Sequence, residues 1–253
     1  MSADFDMGLD CNEIHGLFVG IDDYPVTQGR HQLDGCANDA TELCEAMGPA
    51  LTSTKLLTNE QATRQAILDN AEQILAEAKP KDLFLFFCAC HGETRYGEFF
   101  LLPHDYDQRA FLGTALLFQD IANSMGSNPN INTLTILDAC HSAATGFDPS
   151  RHSSGQRSSI MAAAAPLEYS LEFLFEETSH GAFAFGLIQQ LNRVFEKGGP
   201  GSLTIAELFR GAYHFTKANT KEGDDYSWSK QHPVMVGTLP ASLKISATGG
   251  YYT

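Results

Sequence analysis

The chain has 253 residues, of which 43% are hydrophobic, and its 31 acidic and 16 basic side chains give a formal net charge of −15. This length can bury one large core, and this hydrophobic fraction excludes a disordered chain. Because an acidic surface repels nucleic-acid phosphates and anionic lipid, we expect no nucleic-acid and no membrane partner. A cationic peptide suits this charge better.

The apolar pattern predicts alternating strands and helices in one domain that occupies residues 1–253. Strands are expected at 15–21, 55–57, 82–87, 131–137 and 233–236, with a hairpin near 98–102 and a short apolar stretch at 160–165. Helices are expected at 37–47, 63–78, 116–125, 180–195 and 204–217. This alternation implies an α/β fold with a mainly parallel central sheet flanked by helices. Residues 144–160 are predicted to be a mobile loop, and residues 241–253 a loosely ordered tail.

The N-terminus and the cysteines indicate where the protein works. The first six residues (MSADFD) are acidic and lack the basic and apolar regions of a secretion signal. No apolar run approaches the roughly 18 residues that a membrane span needs. We therefore expect a cytoplasmic protein, in which the six cysteines do not form a disulfide framework.

The chemistry is expected where two predicted strands end, because sites in open α/β sheets lie beyond the carboxyl ends of strands. One strand ends in CACHGE, which includes Cys90 and His91, and another ends in LDACHS, which includes Cys140. A histidine beside a cysteine is what thiol catalysis needs, since the thiolate is the nucleophile. Zinc is the alternative for these side chains, but Cys90 and His91 should point to opposite strand faces, and neither segment has Cys-x2-Cys spacing.

These segments belong to an ordered set of motifs by which the chain resembles the caspase-like cysteine peptidases, and most closely the metacaspases and bacterial orthocaspases. In chain order the motifs are GIDDY (20–24), LDGCANDA (33–40), CHGE (90–93), DACHS (138–142), HGAFAFGL (180–187) and HPV (232–234). They extend over about residues 14–238. The histidine lies 49 residues before the cysteine, close to the roughly 50 residues found in caspases.

The resemblance implies a caspase-like αβα sandwich and a role for each matching residue. Cys140 would be the nucleophile and His91 the general base and acid, with the backbone N–H groups of Gly92 and Cys140 forming the oxyanion hole. Asp39 and Asp138 would be the acidic walls of the S1 pocket, which implies cleavage after Arg and then Lys. Taken alone, Asp39 is better explained as a charge at a helix N-terminus.

Some features depart from the family pattern or leave it open. Ala89 stands where metacaspases usually have a serine that lines S1, so one pocket hydrogen bond is missing. No cofactor is expected, with calcium as the open alternative because many metacaspases bind it. The candidate ligands are Asp105, Asp107, Asp120 and Asp148, although solvated carboxylates are the default in so acidic a chain.

The 144–160 segment contains Arg151 and Arg157, either of which would suit an acidic S1 pocket. One hypothesis is that cleavage after one of them, by a second copy or a separate activating protease, converts a zymogen into the active enzyme. The alternative is a surface loop with solubilising arginines.

The sequence therefore predicts a monomeric cysteine endopeptidase that acts on protein or peptide substrates with Arg or Lys at P1, using His91 and Cys140. A catalytically silent caspase-like interaction module is the rival from another class. A zinc-dependent hydrolase is the third interpretation.

Overall fold

The computed structural model describes residues 12–25, 30–145, 157–175, 177–196, 198–220 and 231–247. Its main sheet has six strands in the order β12-β8-β7-β3-β1-β2. These strands are β1 (Ile14–Gly20), β2 (Ser53–Thr58), β3 (Leu83–Ala89), β7 (Asn132–Asp138), β8 (Arg157–Ala162) and β12 (Val234–Gly237). All neighbouring pairs are parallel except β12 with β8, which is antiparallel.

Three small sheets and six helices complete the described residues. The first small sheet contains β4 (Gly92–Arg95), β5 (Glu98–Leu101) and β6 (Leu116–Leu117). The second pairs β9 (Glu172–Phe175) with β10 (Thr178–Gly181), and the third pairs β11 (Ser202–Thr204) with β13 (Lys244–Ser246). The helices are α1 (Cys36–Met47), α2 (Arg64–Glu77), α3 (Phe111–Thr114), α4 (Phe118–Gly126), α5 (Ala182–Phe195) and α6 (Ile205–Asn219).

The two faces of the main sheet are covered by different helices, as the alternation of side chains along β3 shows. Phe84 and Phe86 belong to the core that includes α2 and α4, whereas Leu85 and Phe87 belong to the core that includes α1, α5 and α6. All four are fully buried. A continuous apolar run of this kind is typical of a parallel strand covered on both faces. The result is the αβα sandwich expected from the sequence.

The sequence and the structure differ at the ends of some elements. Residues 157–160 of the predicted mobile loop at 144–160 belong instead to β8 and pair with β7, whereas residues 146–156 lie outside the described residues. The predicted tail begins too early, since β13 pairs with β11 and its Ile245 is fully buried. The predicted helix at 180–195 begins at Ala182, because His180 and Gly181 lie in the β9–β10 hairpin, which the sequence analysis missed.

Candidate active site

The ends of β3 and β7 place His91 and Cys140 together. The parallel register pairs Ala89 with Asp138, so β3 and β7 end at the same level of the sheet. A Cβ atom on Gly92 would lie only 2.4 Å from the carbonyl oxygen of Cys140, so the two backbones approach more closely than any other residue allows. His91 and Cys140 line the same pocket. The structure thus brings together the histidine and cysteine selected from the sequence.

The turn that presents Cys140 is held by the segment that follows β8. His141 adopts a φ of 58°, in the left-handed region, and its backbone N–H donates to the Glu168 carbonyl at 2.8 Å. Ser142 Oγ accepts a hydrogen bond from the Ala164 N–H at 3.1 Å. A tight turn of this kind fixes the direction of the Cys140 side chain.

The surroundings of the Cys140 thiol disfavour its thiolate form. Burial raises its pKa, and the neighbouring carboxylate of Asp138 raises it further. Its sulfur lies 3.9 Å from the Ser170 carbonyl oxygen, to which the thiol donates a weak hydrogen bond. Thiolate formation therefore requires a base.

His91 is held in one tautomer by a backbone carbonyl. Its Nε2 lies 2.8 Å from the carbonyl oxygen of His31, and because a carbonyl only accepts, Nε2 carries the hydrogen. The neutral ring then has Nδ1 as its acceptor. Burial lowers the pKa of His91, and the charge of Arg30 lowers it further. A neutral imidazole with an acceptor nitrogen can take the proton of a thiol.

Tyr24 contacts the His91 imidazole and positions it. The two rings lie 4.8 Å apart between centroids. The Tyr24 hydroxyl accepts the His91 backbone N–H at 3.2 Å and donates to the Leu102 carbonyl at 2.8 Å. This fully buried tyrosine, within the GIDDY motif, fixes both the ring and the backbone of His91.

Asp39 and Asp138 face each other at the inner end of the pocket. Asp39 accepts hydrogen bonds from the Gly181 N–H at 2.9 Å and from His180 Nδ1 at 2.8 Å. Asp138 accepts from the Ala184 N–H at 2.9 Å and from the Ser170 hydroxyl. A Cβ atom on Gly181 would lie within 3.1 Å of an oxygen of each carboxylate, so both carboxylates contact this glycine. The two acidic residues selected from the sequence thus converge in the structure.

Glu172, at the start of β9, is a third carboxylate that the sequence analysis did not select. Its Oε1 accepts the Gly35 N–H at 3.0 Å and its Oε2 accepts the Asp34 N–H at 3.3 Å, next to the N-terminus of α1. It lines the same pocket as Cys140. Because β9 follows an irregular segment, nothing in the local pattern indicates where its side chain lies.

The pocket is lined by acidic side chains, and no basic side chain among its described lining residues offsets their charge. Burial raises the pKa of Asp39, Asp138 and Glu172, and the Asp138 carboxylate raises that of Asp39 further. The buried His180 does not supply a positive charge, because burial lowers its pKa. Among the described residues that line the pocket there is no lysine or arginine. Such a pocket favours a ligand that brings its own cation.

Gln231 holds the Ser170 side of the pocket in place. Its fully buried amide donates to the Ala163 carbonyl at 3.0 Å and to the Ser170 Oγ at 3.2 Å, and it accepts the Leu171 N–H at 3.1 Å. Ser170 in turn donates to Asp138. Ser170 therefore supplies a hydroxyl that donates to Asp138, although position 89 is an alanine and not the serine that the resemblance implies.

The described residues contain two groups of three side chains with metal-ligand spacing, and neither involves the candidate catalytic pair or the four aspartates considered for calcium. Asp120 instead forms an ion pair with Arg64 at 2.9 Å, and Asp105 accepts the Arg64 N–H at 2.8 Å. Asp107 caps a short helical turn through the Arg109 N–H at 2.9 Å. Each of these three aspartates thus has a protein partner, and Asp148 lies outside the described residues.

The two arginines considered for activation have different positions. Arg151 lies outside the described residues. Arg157 is the first residue of β8 and pairs with Asn132, and the next residue, Ser158, is 2% exposed. The peptide bond after Arg157 therefore lies in the sheet, contrary to the expected position in a mobile loop.

Comparison with known proteins agrees with this geometry. A family model described as the caspase domain, of the peptidase C14 family, matches residues 15–243. The chain therefore belongs to the caspase-domain family of cysteine peptidases.

Among solved structures, protein GSU0716 from Geobacter sulfurreducens is similar in fold. The two chains share 14% sequence identity and a TM-score of 0.68, over 92% of this chain and 97% of that one. No curated protein matches this sequence. No helix among the described residues is long and apolar enough to cross a membrane.

Proposed function

We propose that this cysteine peptidase is an endopeptidase of the metacaspase or orthocaspase type, which cleaves after Arg and then Lys. One observation carries the proposal: the pocket that contains Cys140 and His91 is also lined by two buried carboxylates, Asp39 and Asp138, and the partly buried Glu172, with no lysine or arginine among its described lining residues. Protein and peptide substrates with a basic P1 side chain are its expected partners.

In the proposed mechanism, His91 Nδ1 accepts the Cys140 proton as the sulfur attacks the scissile carbonyl. The N–H groups of Gly92 and Cys140 stabilise the oxyanion, and the close contact of these two backbones supports that role. The His91 imidazolium then protonates the leaving amine. Water hydrolyses the acyl-enzyme with His91 acting as base, which returns the thiol. The His91 Nε2–H donates to the His31 carbonyl throughout, so that Nδ1 is the nitrogen that gains and loses the proton.

The basic specificity follows from the charge of Asp39 and Asp138. A P1 guanidinium can donate paired hydrogen bonds to a carboxylate, whereas an ammonium is a point charge. The bound cation also offsets the burial that raises the pKa of both carboxyl groups. An aspartate at P1 would instead add a further buried negative charge.

Activation by cleavage is a second part of the proposal. The protonated Cys140 thiol, which donates to the Ser170 carbonyl, is consistent with a resting enzyme. Of the two arginines, we retain Arg151 as the cleavage site. We expect Arg151→Ala protein to remain intact and inactive under conditions that activate the wild type, with Arg109→Ala, at an exposed position, as the control. Intact but fully active Arg151→Ala protein would rule out this activation step.

The peptidase activity is tested with fluorogenic peptides that carry Arg, Lys or Asp at P1. We expect cleavage after Arg, slower cleavage after Lys and none after Asp, and Cys140→Ala should abolish it. Cys44→Ala is the matched control, because Cys44 lies on α1 and is partly exposed. Parallel reactions with calcium and with a chelator test calcium dependence, which stays a prediction, as do the cytoplasmic location and the monomeric state.

Two outcomes would reject this proposal. Preferential cleavage after Asp would contradict the assignment of the acidic pocket. Silence after limited proteolysis between residues 146 and 156 would favour the catalytically silent interaction module. The Ser170 carbonyl contact is the observation that keeps this second function in consideration, since it engages the thiol.

A further inference from the structure

A second group of polar side chains lies at the opposite end of the main sheet from the candidate active site. Glu13 precedes β1, His15 is the second residue of β1, and Asp82 precedes β3. The register of these parallel strands pairs Ile14 with Leu83, so the three side chains meet at the amino ends of the strands. One ligand atom from each lies within 4.8 Å of the other two.

The distances within this group suit a small metal ion. His15 Nε2 lies 3.1 Å from Asp82 Oδ2 and 3.9 Å from Glu13 Oε2. Ligand bonds of about 2.0–2.2 Å in a tetrahedron place neighbouring ligand atoms about 3.3 Å apart. The two measured distances lie on either side of that value. Small side-chain adjustments would therefore complete three positions of a tetrahedral site.

Asp82 has one oxygen that protein groups leave unsatisfied. The residue is 1% exposed, and its Oδ2 accepts the Lys79 N–H at 2.7 Å. Its Oδ1 is buried and has no hydrogen-bond partner among the residues that the structure describes. A buried carboxylate oxygen in this state is costly, and a bound ion is one of the few physical explanations for it.

Ser53, the first residue of β2, completes the surroundings of His15. Its Oγ lies 2.8 Å from His15 Nδ1. His15 Nε2 donates to Asp82 Oδ2 at 3.1 Å, because a carboxylate only accepts. A metal would take the place of this hydrogen, and Nδ1 would then donate to the Ser53 hydroxyl, as in metal-binding histidines that are oriented by a second partner. Glu13 also forms an ion pair with Lys79 Nζ at 3.5 Å, and because that ammonium group is 72% exposed, this ion pair stabilises little.

We propose that Glu13, His15 and Asp82 bind a divalent transition metal ion of the zinc class. Imidazole suits zinc, whereas calcium and magnesium prefer oxygen ligands alone. The two carboxylates balance the charge of the ion. A metal here would join the starts of β1 and β3, and its binding to the folded chain alone would raise the stability of the fold.

The other group with metal-ligand spacing, Asp22, Cys36 and Glu172, differs in the state of its oxygens. Asp22 accepts the N–H groups of Cys36 and Ala37 at 2.7 and 3.0 Å. Glu172 likewise accepts two backbone N–H groups. These carboxylates cap the positive end of α1, and this group is therefore explained without an ion.

The test is a zinc titration of chelator-treated full-length protein in competition with a chromophoric chelator. Glu13→Gln and His15→Gln should each weaken one equivalent of bound zinc by about 10- to 100-fold. Glu77→Gln, at the exposed end of α2, is the matched control and should bind as the wild type does. Zinc should also raise the Tm of the wild type and of the control by more than it raises that of the two variants.

Any zinc that binds thiols of the candidate active site does so in the wild type and in all three variants. The difference in bound zinc between the wild type and the Glu13→Gln or His15→Gln variant therefore reports the new site alone. Identical zinc isotherms for the wild type and Glu13→Gln would overturn the proposal, and Asp82 Oδ1 would then be assigned to a water molecule. Glu13→Gln carries the test even if His15→Gln folds poorly, since the Glu13 side chain is 38% exposed. The result is independent of peptidase activity.

Discussion

The two ends of the main sheet hold buried carboxylates with different neighbours. At the carboxyl ends of β3 and β7, Asp39 and Asp138 are buried against each other, and burial raises the pKa of both. At the amino ends, Asp82 also contacts an imidazole and a backbone N–H, but the carboxylate beside it, Glu13, is partly exposed. The first arrangement lowers stability unless a cation arrives, which is what a binding site requires, whereas the second holds strands together.

The largest expected effect lies in the His91 imidazole at the carboxyl end. His91→Asn should lower kcat by about 10²- to 10⁴-fold, because it removes the base that ionises the protonated Cys140 thiol. Steady-state kinetics on an Arg peptide measure this loss. His214→Asn, at an exposed position on α6, is the control and should leave kcat unchanged. A fall of less than threefold in His91→Asn would remove His91 from the mechanism.

A smaller loss is expected from the contact between Gly92 and Cys140. In Gly92→Ala the new Cβ would lie 2.4 Å from the Cys140 carbonyl oxygen, so the two strand ends must move apart. A shift of this kind should lower kcat by about 100-fold. Gly113→Ala is the matched control because its Cβ would meet nothing within 4 Å. Equal activity of the two alanine variants would contradict the proposed oxyanion geometry.

The charge of Asp138 should have opposite effects on substrate binding and on the stability of the fold. Asp138→Asn keeps an oxygen that can accept the Ala184 N–H but removes the charge that a P1 cation would meet. We expect kcat/KM for an Arg peptide to fall by about 10- to 100-fold. Asp107→Asn, at an exposed turn, serves as the control. An unchanged Arg peptide activity would place the P1 side chain elsewhere.

The same variant should change the pH dependence of unfolding. Because the folded-state pKa of Asp138 is raised, its contribution to the free energy of unfolding is greatest below the unfolded pKa of about 4 and declines as the pH rises through the raised value. Asp138→Asn lacks this decline. Urea denaturation at about pH 4 and about pH 7 should therefore show the variant gaining stability relative to the wild type as the pH rises. A loss at about pH 7 would mean that the carboxylate is stabilising.

The smallest expected effect is that of the Ser170 hydroxyl. Ser170→Ala removes the donor to Asp138 while leaving the backbone carbonyl that faces Cys140. We expect the ratio of Arg to Lys cleavage to change about two- to fivefold, with kcat on the better substrate little altered. Ser142→Ala does not serve as a control, since Ser142 holds the Cys140 turn; Ser124→Ala on α4 does. A ratio equal to that of the control would show that Ser170 does not shape P1 selectivity.

The sequence predicts the residues at strand and helix ends well, because their position depends on local pattern. His91 and Cys140 follow two apolar strands, Asp138 is the last residue of the second strand, and Asp39 lies in the first turn of a recognisable helix. Parallel pairing then brings those ends together without further information. The αβα architecture is predicted for the same reason.

Ser170, Glu172 and Gln231 could not be found in this way. The first two lie on an irregular segment and at the start of a short hairpin strand, where no period in hydrophobicity fixes the direction of a side chain. Gln231 reaches Ser170 across 61 positions of sequence. The short β13 could not be predicted either, because three residues give too little pattern to indicate a strand.

The most direct test of the account is covalent labelling with peptidyl acyloxymethyl ketones, which alkylate an activated thiol, followed by mapping of the modified residue by mass spectrometry. The account predicts that a probe with Arg at P1 modifies Cys140, that a probe with Asp at P1 does not, and that His91→Asn protein is not labelled. Modification of another cysteine, or labelling by the Asp probe in preference to the Arg probe, would contradict the pairing of this thiol with an acidic pocket.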